Sequence, residues 1–179
     1  MDCRYFRDEL KRNEEGYIPN TEGGILGEAQ WKWLKSELEN NEASLTVIGS
    51  GIQVLSDEHI YEKWSNFPKE RERLFDLLVS TGSRNTVLLS GDRHIAEFSQ
   101  LELKNGWSVM DVTSSGLTHS WETFEGEPND HRIGEVITSL NFGLIKLDWN
   151  TDNFTVTLEL RGKENQILDA HTLTMDYLM

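Results

Sequence analysis

Only one of the 179 residues is cysteine, Cys3, and only three are proline. A lone thiol has no internal partner, so the fold does not depend on a disulfide or an oxidising compartment. Basic residues are also scarce: 17 Lys and Arg stand against 31 Asp and Glu, a formal net charge of −14. Proteins that grip the phosphate backbone of nucleic acids carry basic faces, so this balance excludes a broad nucleic-acid binder. No apolar run approaches the roughly 18 residues that a membrane-spanning helix needs. The N-terminus, Met1-Asp2-Cys3-Arg4-Tyr5-Phe6-Arg7, lacks the apolar stretch of a signal peptide, and localisation stays open. Repeats and low-complexity tracts are missing as well. What is present is 37% hydrophobic residues and six tryptophans, enough to bury a core and to exclude a disordered chain. The length suits one domain, or a large piece of a bigger one.

Along the chain, Asn13 to Gly24 is polar, holds Pro19, Gly23 and Gly24, and reads as an exposed loop. Glu28 to about Asn40 reads as a helix, because Trp31, Leu34 and Leu38 fall on one face of a 3.6-residue period. Leu45-Thr46-Val47-Ile48 is a β-branched run that stops at Gly49-Ser50-Gly51. Pro68 opens a second helix with Leu74, Leu77 and Leu78 as its buried stripe; proline suits a first turn, where its missing N–H costs nothing. Thr86-Val87-Leu88-Leu89 is a second buried strand, ending at Ser90-Gly91-Asp92. Strand, helix and strand in about 45 residues make a βαβ unit, which predicts parallel strands.

Beyond that unit the pattern turns to antiparallel β. Glu97–Leu103, Ser108–Thr113, Gly143–Asp148, Phe154–Leu160 and Ile167–Thr174 are strand-like, with hairpin connections at 150–153 and 161–165. The expected class is α/β at the front and antiparallel β at the back. Trp31, Trp33, Trp107 and Trp149 fall inside these elements and are expected in the core, whereas Trp64 and Trp121 fall in loops.

Ligands of open α/β sheets bind beyond the carboxyl ends of the strands. Three segments end a strand there with small residues followed by polar ones: 49–53, 90–94 and 113–119. In the middle one, Asp92 and His94 stand two apart, and a carboxylate with an imidazole suits zinc or another divalent transition metal. The same pair also reads as a turn cap and a packed side chain. Arg93 between them reads as a phosphate contact or as half of an ion pair. His119 suits a ligand loop or an ordinary surface turn. His59 reads as solvated and His171 as structural. Asn129-Asp130-His131 falls in a solvated acidic loop, since residues 111–135 hold six acids and only Arg132 against them. Ser50, Asp92 and His119 follow the chain order of an α/β-hydrolase triad, but Gly49-Ser50-Gly51 is not the G-x-S-x-G elbow.

As a set, the segments carry a resemblance. Asp2-x-Arg4-Tyr5-x-Arg7, Leu26-Gly27-Glu28-x-Gln30-Trp31-x-Trp33-Leu34 and Ser50-Gly51-Ile52-Gln53-Val54-Leu55 resemble blocks of the alkaline phosphatase D (PhoD-like) metallophosphatases. Trp64-x-Asn66-Phe67-Pro68-x-Glu70-Arg71, Ser90-Gly91-Asp92-Arg93-His94, Thr113-Ser114-Ser115-Gly116-Leu117-Thr118-His119 and Asn141-Phe142-Gly143 continue it in the family's order. The resemblance implies an α+β chain that forms part of a calcineurin-like four-layer αββα sandwich. It also implies a multi-metal centre at one edge that hydrolyses small phosphate esters. On that reading Asp92 and His94 ligate metal, with Asp92 where the broader superfamily usually has the first His of Gly-His-x-His. Arg4 and Arg93 contact phosphate, His119 is a ligand or general acid, and Asp2, Ser50 and Gln53 help bind substrate. Oxygen and nitrogen donors of this kind fit iron, zinc, manganese or calcium. The place after the preceding strand, often a metal-binding His in that superfamily, reads Ser50-Gly51-Ile52-Gln53, so that ligand is absent or replaced.

Asp2 and Arg4 match an Asp-Thr-Arg block, with Cys3 where Thr is usual, that stands about midway through the family's catalytic domain. Residues 1–179 are therefore expected to be the C-terminal portion of such a domain. Their partner would be the upstream half of the same domain, which carries further metal-binding carboxylates. The alternative is a truncated, non-catalytic homologue with a binding or structural role.

Overall fold

The structure, a computed structural model, describes residues 1–177. Its centre is a five-stranded sheet built from β3 (Thr46–Gly49), β4 (Thr86–Ser90), β5 (Ala96–Glu102), β6 (Ser108–Ser114) and β7 (Arg132–Ile137), in the order β3-β4-β6-β5-β7. β3, β4 and β6 are parallel, with Val47 opposite Val87 and Val87 opposite Met110; β5 returns antiparallel to β6, and β7 is antiparallel to β5. The expected βαβ unit is thus present. Its crossover is α2 (Pro68–Ser80), which starts at the predicted proline, while α1 (Gly27–Glu39) precedes β3.

Strand alternation divides the core in two. Leu88 and Ile48 face the helices and pack with Trp31, Leu34 and Leu38 of α1 and Leu74 and Leu78 of α2. Val87, Phe98, Met110 and Val112 face the other way, onto Phe154, Val156, Leu158 and Leu160. Those last four lie on β9 (Asn153–Gly162), the middle strand of an antiparallel sheet with β8 (Asn141–Trp149) and β10 (Ile167–Asp176). The layers among the described residues are therefore helix, sheet and sheet. The second helical layer of the expected αββα sandwich is not among them, and no described helix is long and apolar enough to cross a membrane.

Several expectations need correction. β7 runs through the stretch read as a solvated acidic loop; its register shifts opposite Ala96–Phe98, and Gly134 takes φ 74°. A two-residue-per-strand hairpin, β1 (Lys11–Arg12) with β2 (Tyr17–Ile18), occupies part of the predicted 13–24 loop. Trp64, expected in a loop, is fully buried in a 3-10 turn, whereas Trp33 and Trp149 are about half exposed. The entry to α1 is held from a distance. Buried Glu70 of α2 accepts the backbone N–H groups of Ile25 and Leu26 and the indole N–H of Trp31, at 2.9, 3.4 and 2.8 Å.

Candidate functional site

Because β3, β4 and β6 are parallel, their carboxyl ends open at the same sheet edge, and the three predicted loops do meet there. In the loop after β4, Asp92 and His94 both have positive φ, 74° and 55°. Left-handed backbone costs most side chains about 1–3 kcal/mol, and Asp and His are among those found there more often. The alternation turns Asp92 and His94 outward and Arg93 inward, where it is buried.

Asp92, His94, His119, Thr118, Tyr61 and Trp121 line one open cavity of about 770 Å³. The His94 and His119 rings meet edge to face with centroids 4.8 Å apart, and the Trp121 N–H donates to the His94 carbonyl at 2.8 Å. Arg4 reaches in from the N-terminus: Nη2 donates to Asp92 Oδ1 at 2.5 Å and to Glu62 Oε2 at 3.2 Å, while Arg7 also pairs with Glu62. The hydrogen bond to Asp92 holds the Arg4 guanidinium above its already high ordinary pKa. Arg4 is exposed and Asp92 partly so, so the pair is open to exchange with an incoming ion.

The remaining expected site residues lie around or beneath this surface. Arg93 donates from Nη2 to both Glu127 carboxylate oxygens at 2.8 Å, and its guanidinium lies 4.6 Å from the Tyr61 ring centroid. Nη1 and Nη2 both face protein groups, so in this structure Arg93 is placed as the ion-pair alternative of its two readings has it. Gln53 is likewise buried. Its Nε2 donates to Glu97 Oε1 at 2.7 Å and Thr113 Oγ1 at 2.9 Å, and its Oε1 faces Arg93 at 3.4 Å. Ser50 Oγ donates to the Ile52 carbonyl, accepts from the Trp64 indole and lies 3.4 Å from Cys3 Sγ, and none of these partners is a histidine. Neither Ser50 nor Gln53 faces the cavity, because burial commits their polar atoms to the loops they hold. Asp2 Oδ1 accepts the N–H groups of Arg4 and Tyr5, which lowers its pKa and shapes the turn presenting Arg4.

The supporting shell carried no sequence signal, since its members are ordinary acids and amides scattered along the chain. Glu97, buried, also accepts from Asn129 Nδ2 at 3.2 Å and Arg132 Nε at 2.6 Å, so Asn129 is no solvated loop residue. Asp111, buried, accepts the N–H groups of Val54 and Leu55 at 3.0 Å each and the Ser90 hydroxyl at 2.5 Å; burial raises its pKa. His59, expected in solvent, is buried too, and desolvation pushes its pKa down to about 2. Its neighbour Lys63 donates to the carbonyls of His59 and Tyr61, fixing the loop that brings Tyr61 to the cavity and Glu62 to Arg4.

Among the described residues no three His, Cys, Asp or Glu side chains converge as a metal-holding group. Asp92 and His94, with His119 beside them, fit one side of a metal centre and not a whole one.

A family model described as PhoD-like phosphatase matches residues 1–156. The chain belongs to the PhoD-like phosphatase family. Its relatives include alkaline phosphatase D of Bacillus subtilis (strain 168), 28% identical over 116 residues, which are 58% of this chain and 20% of that protein. A solved structure titled "Structure of PhoD" superimposes with a TM-score of 0.67 at 20% identity, over 97% of this chain and 38% of the other. The chain thus spans well under half the length of these two PhoD relatives, and at that identity the second likeness is one of fold.

Proposed function

We propose that this PhoD-like chain contributes one side of the active site of a metal-dependent phosphoric ester hydrolase acting on small phosphate esters. The observation that carries the reading is the strained Asp92–Arg93–His94 turn, which aims two metal-ligand side chains at the cavity shared with His119 and reached by Arg4. Strain of this kind persists where the surroundings enforce it, and it clusters at functional sites. Asp92 and His94 would hold the metal, whose chemistry is to stabilise anionic phosphate oxygens and to activate water.

Arg4 then has a defined part. Its Nη2, shared between Asp92 and Glu62, would be free to turn toward phosphate if Asp92 held the metal, and a guanidinium fork suits two phosphate oxygens as it suits two carboxylate oxygens. His119, beside His94 at the cavity wall, either completes the donor set or gives a proton to the leaving oxygen. The missing donors come from polypeptide outside these 179 residues, the upstream half of the same domain. The −14 charge opposes long polyanions and leaves small esters as substrates.

The test is His94→Ala in the enzyme containing both halves. It should lower bound iron, zinc, manganese or calcium and phosphatase turnover together, with the fold retained. Full metal content and full turnover in that variant would remove His94 from the centre. The incomplete donor set supports a second reading, a non-catalytic homologue that binds without turnover. Joined to its upstream half and supplied with metal, such a protein would stay inactive.

A further inference from the structure

We infer that Arg93 is a positioning residue: clipped by Glu127, it fixes the segment that carries His119 and Trp121 over the Asp92–His94 turn. The inference rests on reading that cavity as the active site. The segment between β6 and β7 has no helix or strand of its own, so local hydrogen bonding does not set its shape. Few tethers hold it between Gly116 and Asn129. The Trp121 backbone N–H reaches the His94 carbonyl, and both Glu127 carboxylate oxygens take the one Arg93 Nη2 at 2.8 Å.

Arg93 suits this task better than lysine. Its planar guanidinium lies against the Tyr61 and Trp121 rings, 4.6 and 5.7 Å from their centroids, while Nη2 reaches Glu127 and Nη1 faces Gln53 at 3.4 Å, two directions that a single ammonium does not cover. Its side chain is only 4% exposed and that of Glu127 14%, so the pair is shielded from the screening that makes surface ion pairs weak. On its inner side Arg93 meets Gln53, which is anchored by Glu97, and Glu97 also holds Asn129 and Arg132. One end of the clip is therefore bolted to the sheet and the other to the loop. Freed, the loop would let His119 drift from its 4.8 Å edge-to-face contact with His94.

The clip is tested on the full chain with Glu127→Gln, Arg93→Lys and the double variant, by amide hydrogen exchange and histidine-ring NMR. Loss of this charge-assisted pair should speed exchange of the segment's hydrogen-bonded amides, those of Trp121 and Phe124, by about ten- to a hundredfold. Amides of β4, β5 and β6 should stay within about twofold, since local opening need not involve the sheet. With five histidines to resolve, the His119 ring signals should shift in Glu127→Gln although that residue touches neither imidazole. The double variant should be no worse than the worse single, because both remove one coupled contact. Unchanged exchange at Trp121 and Phe124, equal acceleration of the sheet, unmoved His119 signals or additive effects would each overturn the inference. These readouts need no turnover, so an inactive protein that showed them would fail the hydrolase reading while supporting the clip.

Discussion

Replacing Asp111 by alanine should damage this chain more than its chemistry at the cavity would suggest. Asp111 lies in β6, behind the site, and holds the loop after β3 through the N–H groups of Val54 and Leu55 and the end of β4 through the Ser90 hydroxyl. Alanine leaves two buried N–H donors without acceptors, at about 1–3 kcal/mol each, or about 2–6 kcal/mol together. Ser90 can turn its hydroxyl and is left out of that figure. Asparagine keeps one carbonyl oxygen for the two N–H groups and an amide that can meet Ser90, so Asp111→Asn should cost only about 1 kcal/mol.

The pH dependence sharpens the contrast. Burial raises the folded-state pKa of Asp111, so the folded chain keeps this proton to higher pH than the unfolded chain does. Its stabilising contribution is complete below the unfolded value, about 3.9, and is lost as pH rises through the raised folded value. Asparagine does not titrate, so its stability relative to the native chain should improve with rising pH across that window and level off above it. Urea titrations followed by tryptophan fluorescence, at several pH values and with matched slopes, measure all of this. An alanine variant within about 1 kcal/mol of the native chain, or an asparagine variant as damaging as alanine, would refute the reasoning.

Other perturbations have equally definite outcomes. His59 stays neutral in the folded state to about 2, whereas the unfolded chain takes up this proton below about 6.5, so its contribution to stability falls as pH drops. His59→Phe should therefore flatten the acid limb of the stability profile by up to about 1.4 kcal/mol per pH unit between pH 6 and 4, and an unchanged limb would contradict it. Glu70→Ala strands three buried donors at the start of α1 and should lower stability by about 3 kcal/mol or more, with Glu70→Gln much milder; equal effects in the same urea titrations would rule out this hydrogen-bonding account. Arg4→Lys in the enzyme containing both halves should lower kcat/KM about tenfold or more with metal content unchanged, because an ammonium does not reproduce the fork. Unaltered kinetics would take Arg4 out of the site.

Much of the scaffold was legible because burial imposes a period. The β3–α2–β4 crossover followed from two β-branched runs around an apolar helical stripe that begins at Pro68, and β5, β6, β8, β9 and β10 from alternation between turn signals. β7 escaped because it is an edge strand with mostly half-exposed, partly acidic residues, so its composition matched a solvated loop. Trp64 and Trp33 exchanged their expected places for one reason: a short irregular segment can enter the core while a helix keeps one face in water. At the site, the convergence of Asp92, His94 and His119 was readable from the loops that end β4 and β6. Arg93 turned inward because left-handed residues flank it, and spacing alone carries no sign of φ. The Glu97 and Asp111 networks join residues 21 to 57 positions apart, and such pairings leave no local pattern.

The central claim is that this chain supplies part, and only part, of a phosphoesterase centre. The most direct measurement is turnover of p-nitrophenyl phosphate and its bis ester, with added iron, zinc, manganese or calcium. It is made on residues 1–179 alone and on the same chain joined to an N-terminal PhoD-like half. Hydrolysis at about 1 per second or faster is expected only for the joined form, and His94→Ala should abolish it. The same turnover from residues 1–179 alone, lost in His94→Ala, would contradict the account by showing that the chain holds a complete site.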